Sequence, residues 1–334
     1  METDALYPWL AESWGTLDAF LTADRLPQAL LIRGAVGVGK TELAERFAQK
    51  LLCRRPGRFA CGTCGGCRLF VAGNHPDFIP IRPTEPGRAI GVDSIRQLIA
   101  DLALKPQYGD RRVVVIDPAQ QLNGHAANAL LKTLEEPAEG TVLVLLADTS
   151  AALAPTVVSR CQRLSIPTPD RSLVGRWLEQ RHPGCTGAAL LAAAQGSPLR
   201  AAALAASDVV ERRRTAFAEW RGVVLGQKEP VAVAERWEAQ PHEELLEWLL
   251  SWTADAIRLG SAPGCRPRYN PDLGDGLQVL AGRLDLQRLF EFWTLLLQAR
   301  LALGGQANRQ LLWEEILIRG AQLSSSLTPS RGPP

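Results

Sequence analysis

Apolar runs at residues 29–32 (ALLI), 78–81 (FIPI), 112–116 (RVVVI), 141–147 (TVLVLLA) and 163–166 (RLSI) predict strands in the first half of the chain. Between them, apolar residues recur at helical spacing. Leu43, Phe47 and Leu51 form one face. Val92, Ile95, Leu98, Ile99 and Leu102 form a second, and Ala126, Leu130 and Leu134 a third. Strands that are apolar almost throughout, alternating with helices, predict an α/β domain whose parallel sheet is covered on both faces. After about residue 167 the strand signal stops. Residues 170–205 are rich in Ala and Leu and read as a small helical bundle. Residues 206–325 continue as helices, with ELLEWLLSW and LFEFWTLLL suited to buried faces. Seven of the nine tryptophans follow residue 170, and their size predicts core positions for them. Residues 324–334 (SSSLTPSRGPP) are polar and Pro-rich, which predicts a disordered tail.

Length and composition narrow the classes. A chain of 334 residues suits two or three domains. A net charge of +2 argues against a protein that binds DNA alone through a large electrostatic excess. There is no apolar run of about 18 residues, so no membrane partner is expected. The start, METDALYPWLAESW, lacks the basic end and apolar stretch of a signal peptide, so the expected compartment is the cytoplasm. Disulfides are rare there, and clustered cysteines need another explanation.

Two stretches carry phosphate chemistry. Residues 34–41, GAVGVGKT, match the pattern GxxxxGK[ST] between a strand and a helix. Gly34, Gly37 and Gly39 let the backbone curl so that successive N–H groups face a phosphate, and the following helix N-terminus adds positive potential. Lys40 would reach the β- and γ-phosphates and Thr41 would hold magnesium. The second stretch, VVVIDPAQ, ends a buried strand on Asp117, which suits the metal side of such a site. A chain that activates water should carry glutamate next. Pro118 stands there and can orient or deprotonate nothing, and Gln120 is a weak substitute. The pair of stretches therefore predicts nucleotide binding with poor or absent hydrolysis.

Cys53, Cys61, Cys64 and Cys67 form a C-x7-C-x-x-C-x-x-C cluster interleaved with Gly62, Gly65 and Gly66. Short C-x-x-C steps let four thiolates converge on one tetrahedral ion. Zinc held by four thiolates is closed to substrate and hence structural; an iron–sulfur cluster or a redox pair are the rival chemistries. Cys185 and Cys265 stand alone, and the four scattered histidines receive no chemical role.

Further segments join these pieces. Ala129–Pro137 reads ALLKTLEEP and follows the Asp117 strand. Ser159-Arg160-Cys161 follows the next strand, Gly91–Arg96 (GVDSIR) precedes the Asp117 strand, and NRQLLWEEIL (308–317) closes the helical region. Over about residues 5 to 320 the chain resembles the AAA+ subunits of the bacterial DNA polymerase III clamp loader, the delta-prime branch most.

The resemblance implies an AAA+ nucleotide-binding domain over 1–168 with a zinc module at about 53–67. A helical lid over 169–206 and a helical collar over 207–323 would follow. It implies a ring of five subunits that loads the sliding clamp onto primed DNA, with tau or gamma as ATP-hydrolysing motors, delta opening the clamp, and delta-prime as a rigid stator. In that family Arg160 matches an arginine finger, which reaches a neighbour's γ-phosphate in trans. Arg200, in Gly196–Arg200 (GSPLR), resembles the lid arginine that senses nucleotide, with Pro198 as an insertion in the motor pattern. Asp148-Thr149 stands where the family has a threonine pair; Thr149 could approach phosphate, while Asp148 would repel it unless magnesium lies between.

Pro118 and the lack of a long tau-type extension favour the stator. The loop then holds ATP or ADP as a structural ligand, or is an inherited shape that stays empty. Two alternatives stand beside this: an ATP-hydrolysing motor subunit of the same loader, and a zinc-module DNA-binding protein. No polymerase site is present in the chain.

Overall fold

The computed structural model describes residues 6–85, 87–262, 264–303 and 308–324. Apart from Ser324, the expected tail lies outside the described residues. The chain divides into two compact units, Met1–Asp170 and Arg171–Pro334.

The first unit is built on a sheet of five parallel strands: β1 (Ala29–Gly34), β2 (Phe78–Ile81), β3 (Arg112–Ile116), β4 (Thr141–Asp148) and β5 (Gln162–Ser165). Their spatial order is β2-β3-β4-β1-β5. This is the parallel α/β sheet that the strand pattern implies. Its helices are α1 (Ala11–Thr22), α2 (Lys40–Leu52), α3 (Gly65–Val71), α4 (Val92–Leu102), α5 (Gly124–Glu135) and the single turn α6 (Pro155–Val158).

β3 and β4 lie in the middle of the sheet and are buried at nearly every position, which is why they read as unbroken apolar runs. Leu31, Val114, Ile116, Leu143 and Leu145 pack with Ile95, Leu98 and Leu102 of α4 and Ala126, Leu130 and Leu134 of α5. The alternate set, Leu30, Ile32, Val113, Val115 and Val144, is equally buried, and α2 packs against β1, β3 and β4. The 3.6-residue faces of the helices and the period-2 alternation of the strands thus meet in one sandwich.

The register puts Gly34 at the end of β1 level with Asp148 at the end of β4. Asp117 follows the last residue of β3, which runs between β2 and β4. Three candidate residues therefore share the carboxyl edge of the sheet, where open α/β sheets place their ligands.

The second unit is helical among its described residues: α7 (Arg171–Arg181), α8 (Gly187–Ala193), α9 (Pro198–Leu204), α10 (Val209–Val224), α11 (Pro230–Glu238), α12 (His242–Ser261), α13 (Gly274–Ala281), α14 (Leu286–Leu303) and α15 (Arg309–Ala321). Its core is aromatic, as expected. Trp220 stacks on Trp252 with ring centroids 5.7 Å apart, and Trp237 meets Trp313 edge-on at 5.4 Å. Trp293 departs from that expectation: it is 36% exposed, whereas the other eight tryptophans are all buried.

Two buried charges in this unit are paired. Arg213 is fully buried and gives its guanidinium to Asp272 and Asn270. Asp255, also fully buried, accepts the N–H groups of Arg268, Tyr269 and Asn270. The helices expected as lid and collar pack within this one unit, where Trp248 Nε1 of α12 donates to the Ala193 carbonyl of α8 at 3.0 Å.

Candidate functional site

The loop between β1 and α2 curls because two of its glycines take left-handed backbone, Gly37 at φ 67° and Gly39 at φ 96°. Gly39 is also crowded: a Cβ there would meet the Tyr7 ring at 2.9 Å. The N–H groups of Gly37, Gly39, Lys40 and Thr41 have no acceptor among the described residues. Free N–H groups at a helix N-terminus fit an anion, so the loop has the donors that a phosphate requires. The segment before α1 braces this loop, with Trp9 Nε1 donating to the Val38 carbonyl at 2.8 Å. Sequence reasoning missed Tyr7 and Trp9, since no local pattern marks a contact across some thirty residues.

Lys40 is nearly buried and its ammonium is fully engaged. Nζ donates to the Gly34 carbonyl at 3.0 Å, the Ala35 carbonyl at 2.9 Å and Asp148 Oδ1 at 2.7 Å. The other carboxylate oxygen of Asp148 accepts from Gln120 Nε2 at 2.6 Å. Asp148 therefore touches the lysine directly, a contact that the sequence did not disclose.

Thr41 Oγ1 donates to Asp117 Oδ2 at 2.7 Å. The two residues expected to face magnesium are thus side by side, a hydroxyl and a carboxylate that together suit a hard divalent cation. Pro118 follows directly and contributes no acidic group. Thr149 is exposed and engages through its backbone, its N–H donating to the Gly34 carbonyl at 3.1 Å and its carbonyl accepting from Arg33.

The four cysteines converge. Cys53 ends α2, Cys61 lies in the following loop, Cys64 caps α3 and Cys67 lies within it. All four sulfurs lie within 4.8 Å of one another. Cys53–Cys64 and Cys61–Cys67 are each 3.9 Å apart, close to the roughly 3.8 Å edge of a tetrahedron with metal–sulfur bonds of about 2.3 Å. No disulfide joins them.

Backbone N–H groups point at the sulfurs: Arg55 and Cys61 at Cys53, Cys64 at Cys61, and Cys67 at Cys64. Such donors favour thiolates, and the N–H groups of Thr63 and Cys64 bring the Cys61 thiol down to about 5. Burial, with the neighbouring sulfurs, pushes Cys67 up to about 12. A divalent cation at the centre would supply the charge that offsets it. The donor set fits a metal ion.

Arg160 sits after α6 and is partly exposed. Its Nε donates to Glu135 Oε1 at 2.6 Å, Nη2 reaches the same oxygen, and Nη1 donates to the Thr156 carbonyl at 3.0 Å. In the second unit Ser197 caps α9 with Pro198 in its first turn, and Arg200 Nη1 donates to Glu247 Oε2 at 2.6 Å. Pro198 is therefore a helix-starting residue, a position that tolerates its missing N–H.

Comparison with known proteins accounts for nearly the whole chain. A family model described as DNA polymerase III, delta subunit, matches residues 10–170, and one described as the C-terminal part of that subunit matches 177–322. The delta' subunit of DNA polymerase III from Pseudomonas aeruginosa is 34% identical over 324 residues, which is 95% of this chain and 98% of that one. The delta' subunit from Escherichia coli is 33% identical over 320 residues, 94% of each chain. A solved structure of a gamma-subunit-related protein of DNA polymerase III from Thermotoga maritima aligns at 19% identity with a TM-score of 0.44, over 92% of this chain and 99% of that one. Matched over 95% of its length, then, the chain belongs to the delta-prime subunit family of DNA polymerase III.

Proposed function

We propose that the chain is the stator of a clamp loader. It assembles with motor (tau/gamma) and delta subunits into a five-membered ring that loads the sliding clamp onto primed DNA in the cytoplasm. It donates Arg160 in trans to a motor neighbour's nucleotide, and does not itself hydrolyse ATP.

The observation that carries this reading is the junction Asp117–Pro118. Thr41 and Asp117 stand together as a magnesium site would require, yet the next residue offers no group to orient water. The loop 34–41 keeps its free N–H groups, so ATP or ADP with Mg2+ is held there as a structural ligand. Lys40 binds its phosphates, Thr41 and Asp117 face the metal, and Thr149 lies at the rim. Arg200, on the expected lid (169–206), senses the nucleotide once released from Glu247. The expected collar (207–323) carries an exposed apolar stripe on α14, which supports assembly with other subunits.

Arg160 suits its role because a guanidinium keeps its charge and presents a planar fork. It lies on an open edge and its side chain is held by one carboxylate that water also reaches. The cysteine cluster holds zinc as a structural ion. Sulfurs within 4.8 Å of one another surround a single ion more readily than a multi-iron cluster.

The test is ATP binding and turnover by the purified chain, alone and with its motor subunits, for the native sequence and Arg160→Ala. Binding without turnover by the chain alone, with Arg160→Ala slowing only the assembly, supports the stator. Steady turnover by the chain alone would make it a motor and overturn the reading of Pro118.

A further inference from the structure

The Lys40–Asp148–Gln120 chain assigns a role to Asp148 that the nucleotide reading does not require. We propose that Asp148 is an internal anion that occupies the phosphate-binding lysine and sets the loop's specificity against nucleoside triphosphate. This rests on the reading of residues 34–41 as a nucleotide site.

The geometry is that of a closed latch. An ammonium has three donors, and Lys40 spends all three within the protein, on the Gly34 and Ala35 carbonyls and on Asp148 Oδ1. Phosphate can reach Nζ only by displacing one of these partners or by crowding beside a carboxylate 2.7 Å from it. The lysine side chain is 10% exposed and that of Asp148 27%, so water screens the repulsion incompletely.

Asp148 is not free to swing away. Its second oxygen is held by Gln120 at 2.6 Å. Its strand is fixed in register beside Gly34. The turn that follows is pinned by Arg33, whose Nη2 donates to the Thr149 carbonyl at 3.0 Å and the Ala151 carbonyl at 2.9 Å. Gln120 thus acts as a positioning residue, aiming the carboxylate at the lysine across 28 residues of sequence.

The penalty grows with the charge brought to the lysine. Lys40 of a phosphate loop reaches the β- and γ-phosphates. A diphosphate brings one of those groups to it and a triphosphate brings both, so the fixed carboxylate opposes ATP more than ADP. Replacing the carboxylate by its neutral isostere keeps the shape and the bond to Gln120 while removing the charge.

The experiment is titration of the purified full-length chain with MgATP and MgADP by calorimetry. The proteins compared are the native sequence, Asp148→Asn, Asp148→Thr and Lys40→Ala, with thermal melts to establish folding. The latch requires Asp148→Asn to bind MgATP on the order of tenfold tighter or more, and MgADP by a smaller factor. Asp148→Thr follows the same order if the Asn form does not fold. Lys40→Ala loses both.

Unchanged affinity in folded Asp148 variants, beside measurable binding by the native chain, would overturn the latch and leave the nucleotide reading standing. Weaker MgATP binding in the Asn form would overturn it too, by making Asp148 a magnesium ligand. No binding by any folded form would overturn the latch and the nucleotide reading together.

Discussion

Arg160 and Glu135 are joined by two nitrogens of one guanidinium meeting a single carboxylate oxygen, with the Thr156 carbonyl taking a third donor. Glu135 closes α5 and Arg160 follows α6, so the contact ties the ALLKTLEEP helix to the SRC turn. Both side chains are substantially exposed, at 32% and 47%. Exposed pairs contribute little to stability, about 1 kcal/mol at most, so the contact orients the arginine more than it holds the fold.

If Glu135 aims Arg160 at a neighbouring subunit, the two substitutions separate. Arg160→Ala slows turnover at the one neighbouring motor site by about 10³-fold, the scale of a lost arginine finger, and lowers the ATPase of the reconstituted assembly by that site's share. Glu135→Gln lowers it less, since the guanidinium survives without its guide. Neither changes the melting of the isolated chain by more than the equivalent of about 1 kcal/mol. Steady-state ATPase of the assembly and thermal melts of the subunit check this. Equal losses in both variants would mean that Glu135 does more than orient.

The cysteine cluster makes a prediction about the first unit alone. Metal analysis of the purified chain should find about one zinc per molecule, removed by a thiol-reactive mercurial together with a chelator. Cys64→Ser removes a sulfur that caps α3 and accepts the Cys67 N–H, so it loosens residues 53–71. Hydrogen exchange should rise there and stay unchanged in 171–324. Iron in place of zinc, with the visible absorption of a cluster, would contradict this.

The distinction between local and distant information decides what the sequence disclosed. The strands ending at Gly34, Ile116 and Asp148 were legible because central strands are apolar on both faces. The phosphate loop and the cysteines were legible because their geometry is fixed by spacing within a few residues. Pro118 was legible as an absence of acid. The partners of these residues were not. Lys40 meets Asp148 across 108 positions, Arg200 meets Glu247 across 47, and Trp9 braces Val38 across 29. No periodicity encodes such pairs; only the parallel register and the helix packing bring them together. Trp293 was misplaced for a related reason, since helical spacing gives a face but not what covers it.

Two histidines give the chain a pH dependence. His242 Nδ1 accepts from Trp313 Nε1 at 2.8 Å, and His75 Nδ1 accepts the Asp77 N–H at 3.2 Å. Burial lowers both values from 6.5. Their folded values lie below the unfolded one, so on acidification the unfolded chain takes up protons first. Their contribution to stability is therefore complete above about pH 6.5 and is lost as pH falls below it. Melting temperature should drop between pH 7.5 and pH 5. Substitution of His242 by Gln, which keeps an acceptor without titrating, should flatten part of that drop. An unchanged slope in His242→Gln would assign the effect elsewhere.

The exposed stripe on α14 separates folding from assembly. Leu286, Phe290, Trp293, Leu297 and Leu301 recur every three or four residues and are each at least 36% exposed, while Leu289, Phe292, Leu296 and Ala299 on the same helix are buried. One helix therefore has a face for the core and a second apolar face left partly open to solvent. If that second face seats another subunit, Trp293→Glu leaves the melting of the isolated chain nearly unchanged, because surface substitutions usually fall within about 0.5 kcal/mol. It weakens assembly with the motor subunits by tenfold or more, read by analytical ultracentrifugation. Trp252→Ala provides the contrast. That ring is fully buried and stacked on Trp220, so its loss costs about 3–5 kcal/mol and unfolds the unit before assembly can be tested. A Trp293→Glu chain that melts early would return the residue to the core; one that assembles normally would leave the stripe without a role in the ring.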